Sequence, residues 1–215
     1  VTTTIVHLLR HGEVHNPTKV LYGRLPNYHL SELGLKMAER VAETVAHRDI
    51  VRVVASPLER AQETAEPIAT ALGKDIGTDP RVIEAANVFE GQTFGVGDGS
   101  LKKPQSWWHL RNPFRPSWGE AYREIVVRML AAMADARRDA EGHEALLVSH
   151  QLPIWTVRSY VEGRHLWHDP RKRQCSLASL TSFTYEDERI ASVTYSEPAA
   201  DLLPVRVTKK FVAGA

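Results

Sequence analysis

The stretch TIVHLLRHGEVHN, residues 4–16, begins as a short apolar, β-rich run from Thr4 to Leu9 and breaks into polar Arg10-His11-Gly12. A buried strand emptying into a loop is the simplest reading. Residues 12–30 carry Gly12, Asn16-Pro17, Gly23, Pro26 and Asn27 and read as loop. Ser31 can then cap a helix. Its Leu33, Met37, Val41 and Val45 recur every four residues, which makes one face apolar to about residue 47.

The same alternation continues along the chain. Asp49 to Ala55 reads as a second buried strand, stopped by Ser56-Pro57. A helix follows from Leu58, with Ala61, Ala65, Ile68, Ala69 and Leu72 on one face and Gly73 at its end. Pro67 lies inside it and predicts a kink or a break. Short strands are expected around Ile76 and at Val82-Ile83-Glu84, and residues 85–118 are irregular, rich in Gly, Pro, Trp and Asn. Residues 119–140 form the clearest helix, with Tyr122, Ile125, Val126, Met129 and Met133 on one face. Ala145 to Ser149 reads as a buried strand ending at His150-Gln151, and Pro153 suits the first turn of a helix reaching Gly163. Residues 177–185 and 189–195 look like a hairpin, and the last twenty residues are weakly patterned. Strands alternating with helices predict an α/β fold, a three-layer α/β/α sandwich with a mostly parallel central sheet. The whole chain, 1–215, reads as one domain, with 85–118 as an inserted lid segment.

Composition narrows the class. With 43% hydrophobic and 25% charged residues, the chain is neither disordered, collagen-like nor a coiled coil. No run of 18 apolar residues exists, so a spanning helix is excluded. Twenty-seven Lys+Arg against 26 Asp+Glu leave a net charge of +1, so bulk charge predicts neither a nucleic-acid nor a membrane partner. The single cysteine, Cys175, excludes an internal disulfide and a Cys-rich metal site and reads as a small core residue. One cysteine and no secretory leader pattern at VTTTIVHLLRHGE suggest a cytoplasmic protein.

In a parallel sheet, ligands bind at the carboxyl ends of the strands. Arg10-His11 follow the first strand and Ser149-His150 a later one; Ser56 follows the second, with Arg60 in the first turn of the next helix. Two histidines and two arginines are therefore expected at one sheet edge. Arginine stays charged and its fork matches phosphate oxygens. A neutral imidazole is a competent nucleophile. Cations around a nucleophilic histidine suit phosphoryl transfer, where positioning and charge stabilisation dominate. Taken singly, each residue has a plainer explanation: a capped strand end, a solvated helix arginine, a satisfied buried histidine, a surface carboxylate.

This set resembles the histidine phosphatases, the phosphoglycerate-mutase-like superfamily. The resemblance rests on LLRHGEVHN (8–16), YGRLPNYHLSELG (22–34), ASPLERAQETA (55–65), RVIEAANVFEGQ (81–92) and LLVSHQLPI (146–154), which run in the family's order. It implies that His11 attacks phosphorus and becomes phosphohistidine, while Arg10, Arg60 and His150 hold the phosphoryl oxygens. Glu84 would protonate the leaving alkoxide and then deprotonate water. Asn16 and the backbone N–H after His150 would add donors. The resemblance implies no metal and no organic cofactor. His11 needs its other ring nitrogen fixed on an acceptor such as a loop carbonyl, and His150 is expected to be protonated when phosphate arrives. Glu84 should hold a proton near neutral pH. The chain departs from the family's pattern in three places. The His11–Asn16 spacing is one residue short. Gln151 replaces the glycine usual after the fourth-element histidine. No glycine lies between Glu84 and Glu90. Glu90 is a rival acid, with Glu84 preferred because it directly follows Val82-Ile83.

Residues 99–119 contain no acid but combine Lys102, Lys103, Arg111 and Arg115 with Trp107, Trp108, His109, Phe114 and Trp118. A lid over an anionic, partly apolar substrate is the first reading, plain packing the second and single-stranded nucleic acid a distant third. Trp107, Trp108, Arg111, Arg24 and Gln151 are the candidate substrate contacts beyond the phosphoryl group. The basic cluster of Arg164 with Arg171-Lys172-Arg173 reads as surface. His7, His11 and His15 recur every four residues, but on a strand and loop they should not converge on a metal. The favoured function is a metal-independent phosphomonoesterase acting on a small phosphorylated metabolite. A phosphoglycerate mutase, a protein phosphohistidine phosphatase and a non-catalytic phosphate-ester sensor are the alternatives. A homodimer stays open.

Overall fold

The computed structural model describes residues 1–92 and 119–203. The expected lid residues Trp107, Trp108 and Arg111, and the rest of 93–118, lie outside the described residues. Six strands form one sheet: β1 (Thr3–Arg10), β2 (Ile50–Ala55), β3 (Ile76–Thr78), β4 (Glu144–Ser149), β5 (Leu180–Glu186) and β6 (Arg189–Ser196). Their order is β3-β2-β4-β1-β5-β6. The first four run parallel, and the hairpin β5–β6 closes one side antiparallel to β1. Helices α1 (Glu32–Val45), α2 (Glu59–Leu72), α3 (Tyr122–Asp139) and α4 (Gln151–Val161) cover it.

The three layers follow from the period of two along each strand. Val6, Leu8, Val54, Ala145, Leu147 and Phe183 face one core with Ile125, Met129 and Met133 of α3 and Ile154 and Val157 of α4. Their neighbours Leu9, Val53, Ala55, Leu146, Val148 and Leu180 face the other, with Met37 and Val41 of α1 and Ala61, Ala65 and Ile68 of α2. Both cores are fully buried, as near-continuous apolar strands require. Ser31 caps α1 as expected, its Oγ accepting from Gly34 N–H at 3.0 Å. No helix among the described residues is long and apolar enough to cross a membrane.

Two local expectations are corrected. The break allowed for at Pro67 is not there: helix α2 continues through it. Proline removes one hydrogen bond there, but Ala61, Ala65, Ile68 and Ala69 bury the helix face on both sides of it. Val82-Ile83-Glu84 does not form a strand. Asp79 caps a single 3₁₀ turn, Pro80–Val82, accepting from Arg81 N–H at 2.8 Å, and Pro80 supplies the helical φ in place of a ladder donor.

Buried His7 of β1 bridges Ser182 Oγ (2.7 Å) and Glu144 Oε2 (2.9 Å), and Arg48 Nε donates to the same Glu144 oxygen at 2.7 Å. Burial alone would raise the Glu144 pKa, but His7 and Arg48 outweigh it and hold the group at about 2. A carboxylate depressed in the folded state stabilises above its unfolded pKa and loses that stabilisation as pH falls. Glu144→Gln should therefore lower stability at pH 7 by about 1–2 kcal/mol in urea unfolding, discounted for its partial exposure. The gap between variant and wild type should close as pH falls from 4.5 towards 2. A gap independent of pH over that range would contradict the pairing.

Candidate active site

The sheet order places the site. Strand β4 lies between β1 and β2, with Arg10 opposite Ser149 and Ala55 opposite Val148. His11, His150 and Ser56 therefore step off three adjacent carboxyl ends together. His11 N–H donates to Ser149 O (3.2 Å) and Ser56 N–H to Val148 O (3.0 Å). The rings of His11 and His150 lie 5.1 Å apart. Gly12 turns the chain here: a Cβ on it would sit 2.6 Å from the Gly34 carbonyl oxygen, so the loop and the start of α1 need glycine to pack. Gly12 N–H donates to Thr64 Oγ1 of α2 at 3.1 Å.

Each catalytic candidate has a defined partner. His11 is buried, and its Nδ1 donates to the Gly12 carbonyl at 2.8 Å. A carbonyl can only accept, so Nδ1 carries the hydrogen and Nε2 keeps its lone pair. Burial, then Arg60 and Arg10, hold the His11 pKa well below the usual imidazole value, against the Gly12 bond that raises it. The ring is neutral at pH 7. Arg10 donates from Nη1 to the Cys175 carbonyl at 2.7 Å. Arg60, fully buried in the first turn of α2, donates from Nη2 to the Gly23 carbonyl at 2.6 Å and lies 4.7 Å over the Tyr22 ring. Arg10 Nε, Arg60 Nε and Nη1, and His150 Nδ1 are buried without a partner among the described residues. Unpartnered buried donors are costly and uncommon. Four such nitrogens on three neighbouring side chains are the chemistry that would suit an anion.

His150 caps the start of α4 and shares a 2.8 Å hydrogen bond between Nε2 and Ser56 Oγ. Leu58 N–H donates to the same Oγ, which frees the Ser56 hydroxyl to donate to Nε2. Nδ1–H of His150 is then left to donate. Burial first, then Arg60, His11 and Arg10, push the His150 pKa well below the usual value. The surrounding cations thus favour neutral His150, and the protonated form expected from the sequence depends on the charge of a bound dianion.

Glu84 follows the 3₁₀ turn and is half-buried, its Oε1 accepting from Ala85 N–H at 2.8 Å. Ser149 Oγ donates to the Val82 carbonyl at 2.7 Å, which ties the turn carrying Glu84 to the end of β4. Burial raises the Glu84 pKa against the Ala85 bond and against Arg60, Arg173 and Arg10. Glu90 accepts instead from Asn87 N–H at 3.2 Å and packs on Gly23, where a Cβ would meet its carboxylate at 2.3 Å.

Other candidates sit differently from expectation. Asn16 folds onto its own loop, donating from Nδ2 to Val20 O (2.8 Å) and accepting Val20 N–H (3.1 Å). Arg24 donates from Nε to the Glu84 carbonyl (2.6 Å) and from Nη2 to Glu120 (2.9 Å), so it braces the backbone of Glu84. Gln151 turns to Cys175 O (3.5 Å) and accepts from Arg173 (3.2 Å). The three histidines at four-residue spacing part: His7 lies in the sheet, His11 in the site, and His15 is exposed. Among the described residues, no three His, Cys, Asp or Glu side chains are grouped to hold a metal. Sequence reasoning missed Tyr22, which is buried beneath Arg60, and Arg173, which turns inward from the basic cluster read as surface.

Comparison with known proteins adds to this geometry. The profile of the histidine phosphatase superfamily (branch 1) matches residues 6–198. The uncharacterized protein Rv0525 of Mycobacterium tuberculosis is 57% identical over 197 residues, covering 92% of this chain and 98% of that one. The probable phosphoglycerate mutase GpmB of an Enterobacter species is 32% identical over 206 residues, covering 92% and 93%. The structure of the mycobacterial glucosyl-3-phosphoglycerate phosphatase Rv2419c superposes with a TM-score of 0.71 at 22% identity, over 90% of this chain and 96% of that one. At that identity the last match speaks for the fold.

Proposed function

The chain belongs to the histidine phosphatase superfamily, and from that premise we propose that it is a phosphomonoesterase acting on a small phosphorylated metabolite through a phosphohistidine at His11. One observation carries the reading. The Gly12 carbonyl fixes the hydrogen on Nδ1, so Nε2 keeps its lone pair on a ring that shares its surroundings with the unpartnered donors of Arg10, Arg60 and His150. Nε2 attacks phosphorus, the bond from phosphorus to the ester oxygen breaks, and the arginines hold the non-bridging oxygens as charge shifts. Protonated Glu84 gives its proton to the departing alkoxide. The resulting carboxylate then takes a proton from water, which attacks phosphorus and releases inorganic phosphate and free His11. The fixed positive charge comes from side chains, so turnover should persist in excess EDTA.

The test is rapid acid-free quenching during turnover of p-nitrophenyl phosphate with EDTA present. An acid-labile, base-stable phosphoryl adduct mapping to His11 is expected. Turnover without any such adduct, or no turnover at all, would overturn the proposal.

Glu84→Gln separates the acid from the rest. It should cost alkyl phosphates roughly 10²–10⁴-fold in kcat while sparing aryl phosphates, whose leaving groups need no proton. Because burial raises the Glu84 pKa, its acid form persists above the ordinary carboxylate range. Wild-type kcat on alkyl phosphates should therefore fall as pH climbs through that raised value, and this limb should vanish in the variant. Equal losses on both substrate types would move the acid to Glu90.

A second reading has one observation in its favour. The relative at 32% identity carries the name of a probable phosphoglycerate mutase. A mutase would use the same His11 but return the phosphoryl group to substrate, which requires water to be kept from the phosphoenzyme. Incubation with 3-phosphoglycerate and a trace of bisphosphoglycerate distinguishes the two: isomerisation outpacing phosphate release would favour the mutase.

A further inference from the structure

The described arginines divide cleanly by their partners. Arg24, Arg40, Arg48, Arg52, Arg81, Arg128, Arg137, Arg138, Arg158, Arg164 and Arg171 each pair with a carboxylate. Arg123 and Arg189 pair with none among the described residues, but both are exposed and water satisfies them. Three arginines that are not exposed also have no carboxylate within ion-pair distance among the described residues: Arg10, Arg60 and Arg173. The first two already belong to the phosphoryl site. A cation withdrawn from water without a counter-charge is costly, and a protein that keeps one commonly reserves it for an anionic ligand.

Arg173 is joined to that site through Gln151 and the Cys175 carbonyl. Arg10 Nη1 and Gln151 Nε2 both donate to the Cys175 carbonyl, at 2.7 and 3.5 Å, and Gln151 Oε1 accepts from Arg173 Nη1 at 3.2 Å. On the other side, His168 Nδ1 donates to Leu166 O at 2.7 Å, so its Nε2 carries a lone pair and accepts from Arg173 Nε at 2.7 Å. The His168 ring is itself seated against Tyr122 and Trp155, with centroids at 5.9 and 5.8 Å. Two neutral acceptors thus set the plane of the guanidinium without neutralising it, and Nη2 has no hydrogen-bond partner among the described residues. A fork fixed in this way loses little entropy when it binds a carboxylate or phosphate.

Gln151, which accepts from Arg173, directly follows His150, and the Cys175 carbonyl that Gln151 reaches is the one that Arg10 binds. Arg173 therefore borders the phosphoryl site, and a second anionic group on a phosphomonoester lies on its alcohol part.

Resting on the phosphoryl site proposed above, we infer that Arg173 is a specificity-determining residue that binds a second anionic group, a carboxylate or a phosphate, carried on the alcohol portion of the substrate. Neutral alcohols would leave its fork unused. Gln151 is then a positioning residue, holding Arg173 against the Cys175 carbonyl shared with Arg10.

Calorimetric titration with non-hydrolysable phosphonates tests this. The probes are butylphosphonate, phosphonobutyrate, which adds a terminal carboxylate, and propane bisphosphonate, which adds a second phosphonate. Wild type should bind at least one doubly anionic probe about tenfold or more tighter than butylphosphonate, and the tighter of the two identifies the second group. Arg173→Gln should erase the preference while butylphosphonate binding stays within about threefold, which also reports that the site is still folded. Arg173→Lys should restore only part of the preference, since it keeps the charge without the fork. The assignment is overturned if wild type shows no preference, if the preference survives in Arg173→Gln, or if that variant loses butylphosphonate as well. Preferential binding without turnover of any phosphomonoester would sink the hydrolase reading and leave this one standing. Failure of every phosphonate to bind would sink both.

Discussion

Replacing His11 by alanine is expected to lower kcat/KM on phosphomonoesters by at least roughly 10⁴-fold and to abolish the trapped phosphoprotein. Nothing nearby can take over. The Nε2 of His150 is committed to Ser56, and Glu84 is bound to the Ala85 N–H. The fold should survive, because the His11 side chain contributes one hydrogen bond to its own loop, at Gly12, and a neutral ring. Circular dichroism and unchanged binding of inorganic phosphate would check that. The wild-type enzyme should also stay active well into acidic solution. Burial, Arg60 and Arg10 depress the His11 pKa, so the ring stays unprotonated below the pH at which an ordinary imidazole becomes charged. A variant retaining activity within tenfold of wild type would remove the phosphohistidine from the mechanism.

Arg60→Met is expected to cost roughly 10²–10³-fold in kcat/KM without lowering stability in phosphate-free buffer. The two halves of this outcome have one cause. Arg60 is fully buried, has two unpartnered nitrogens, and stands near Arg10 with the Tyr22 ring and the Gly23 carbonyl as its support. That arrangement is poor for a folded protein at rest and good for a transition state with three charged oxygens. Methionine keeps much of the volume and removes the uncompensated charge. Thermal melts should therefore show an equal or higher Tm for the variant without phosphate, and a smaller gain than wild type when phosphate is added. A large loss of stability together with intact kcat/KM would make Arg60 a structural residue.

Much of the fold was legible because strands buried on both faces and amphipathic helices leave different periods in a sequence, and each is closed by its own punctuation. The run from Thr4 to Leu9, the Ser31 cap and the hairpin around Glu186-Asp187-Glu188 were all readable locally. The clustering of Arg10, His11, Arg60 and His150 was readable too, since each lies at a strand end or in the first helical turn after one. What escaped depends on single residues turning against their neighbours. In Arg171-Lys172-Arg173, Arg171 pairs in the open with Asp169, and Lys172 is exposed, as a basic run normally does. Only Arg173, directly after the 3₁₀ turn Pro170–Lys172, swings inward. No pattern of charge could have singled it out. The bonds of Asn16 to its own loop were hidden for a different reason: short polar side chains bond readily to their own backbone, and Val20 offers both groups it needs.

The position of β4 has a consequence for how the polypeptide matures. Among the described residues, strand β1 pairs only with β4 and β5, both made more than 130 residues later, as the pairing of Ile5 with Glu144 and of Thr3 with Glu186 records. A growing chain that has emerged as far as β3 must therefore carry this largely buried strand unpaired, and β2 cannot shield it, because the two are not neighbours in the sheet. Non-local strand pairing of this kind is slow and leaves sticky edges during synthesis. The site cannot assemble in a fragment that lacks β4, because that strand joins β1 to β2 and leads directly into His150.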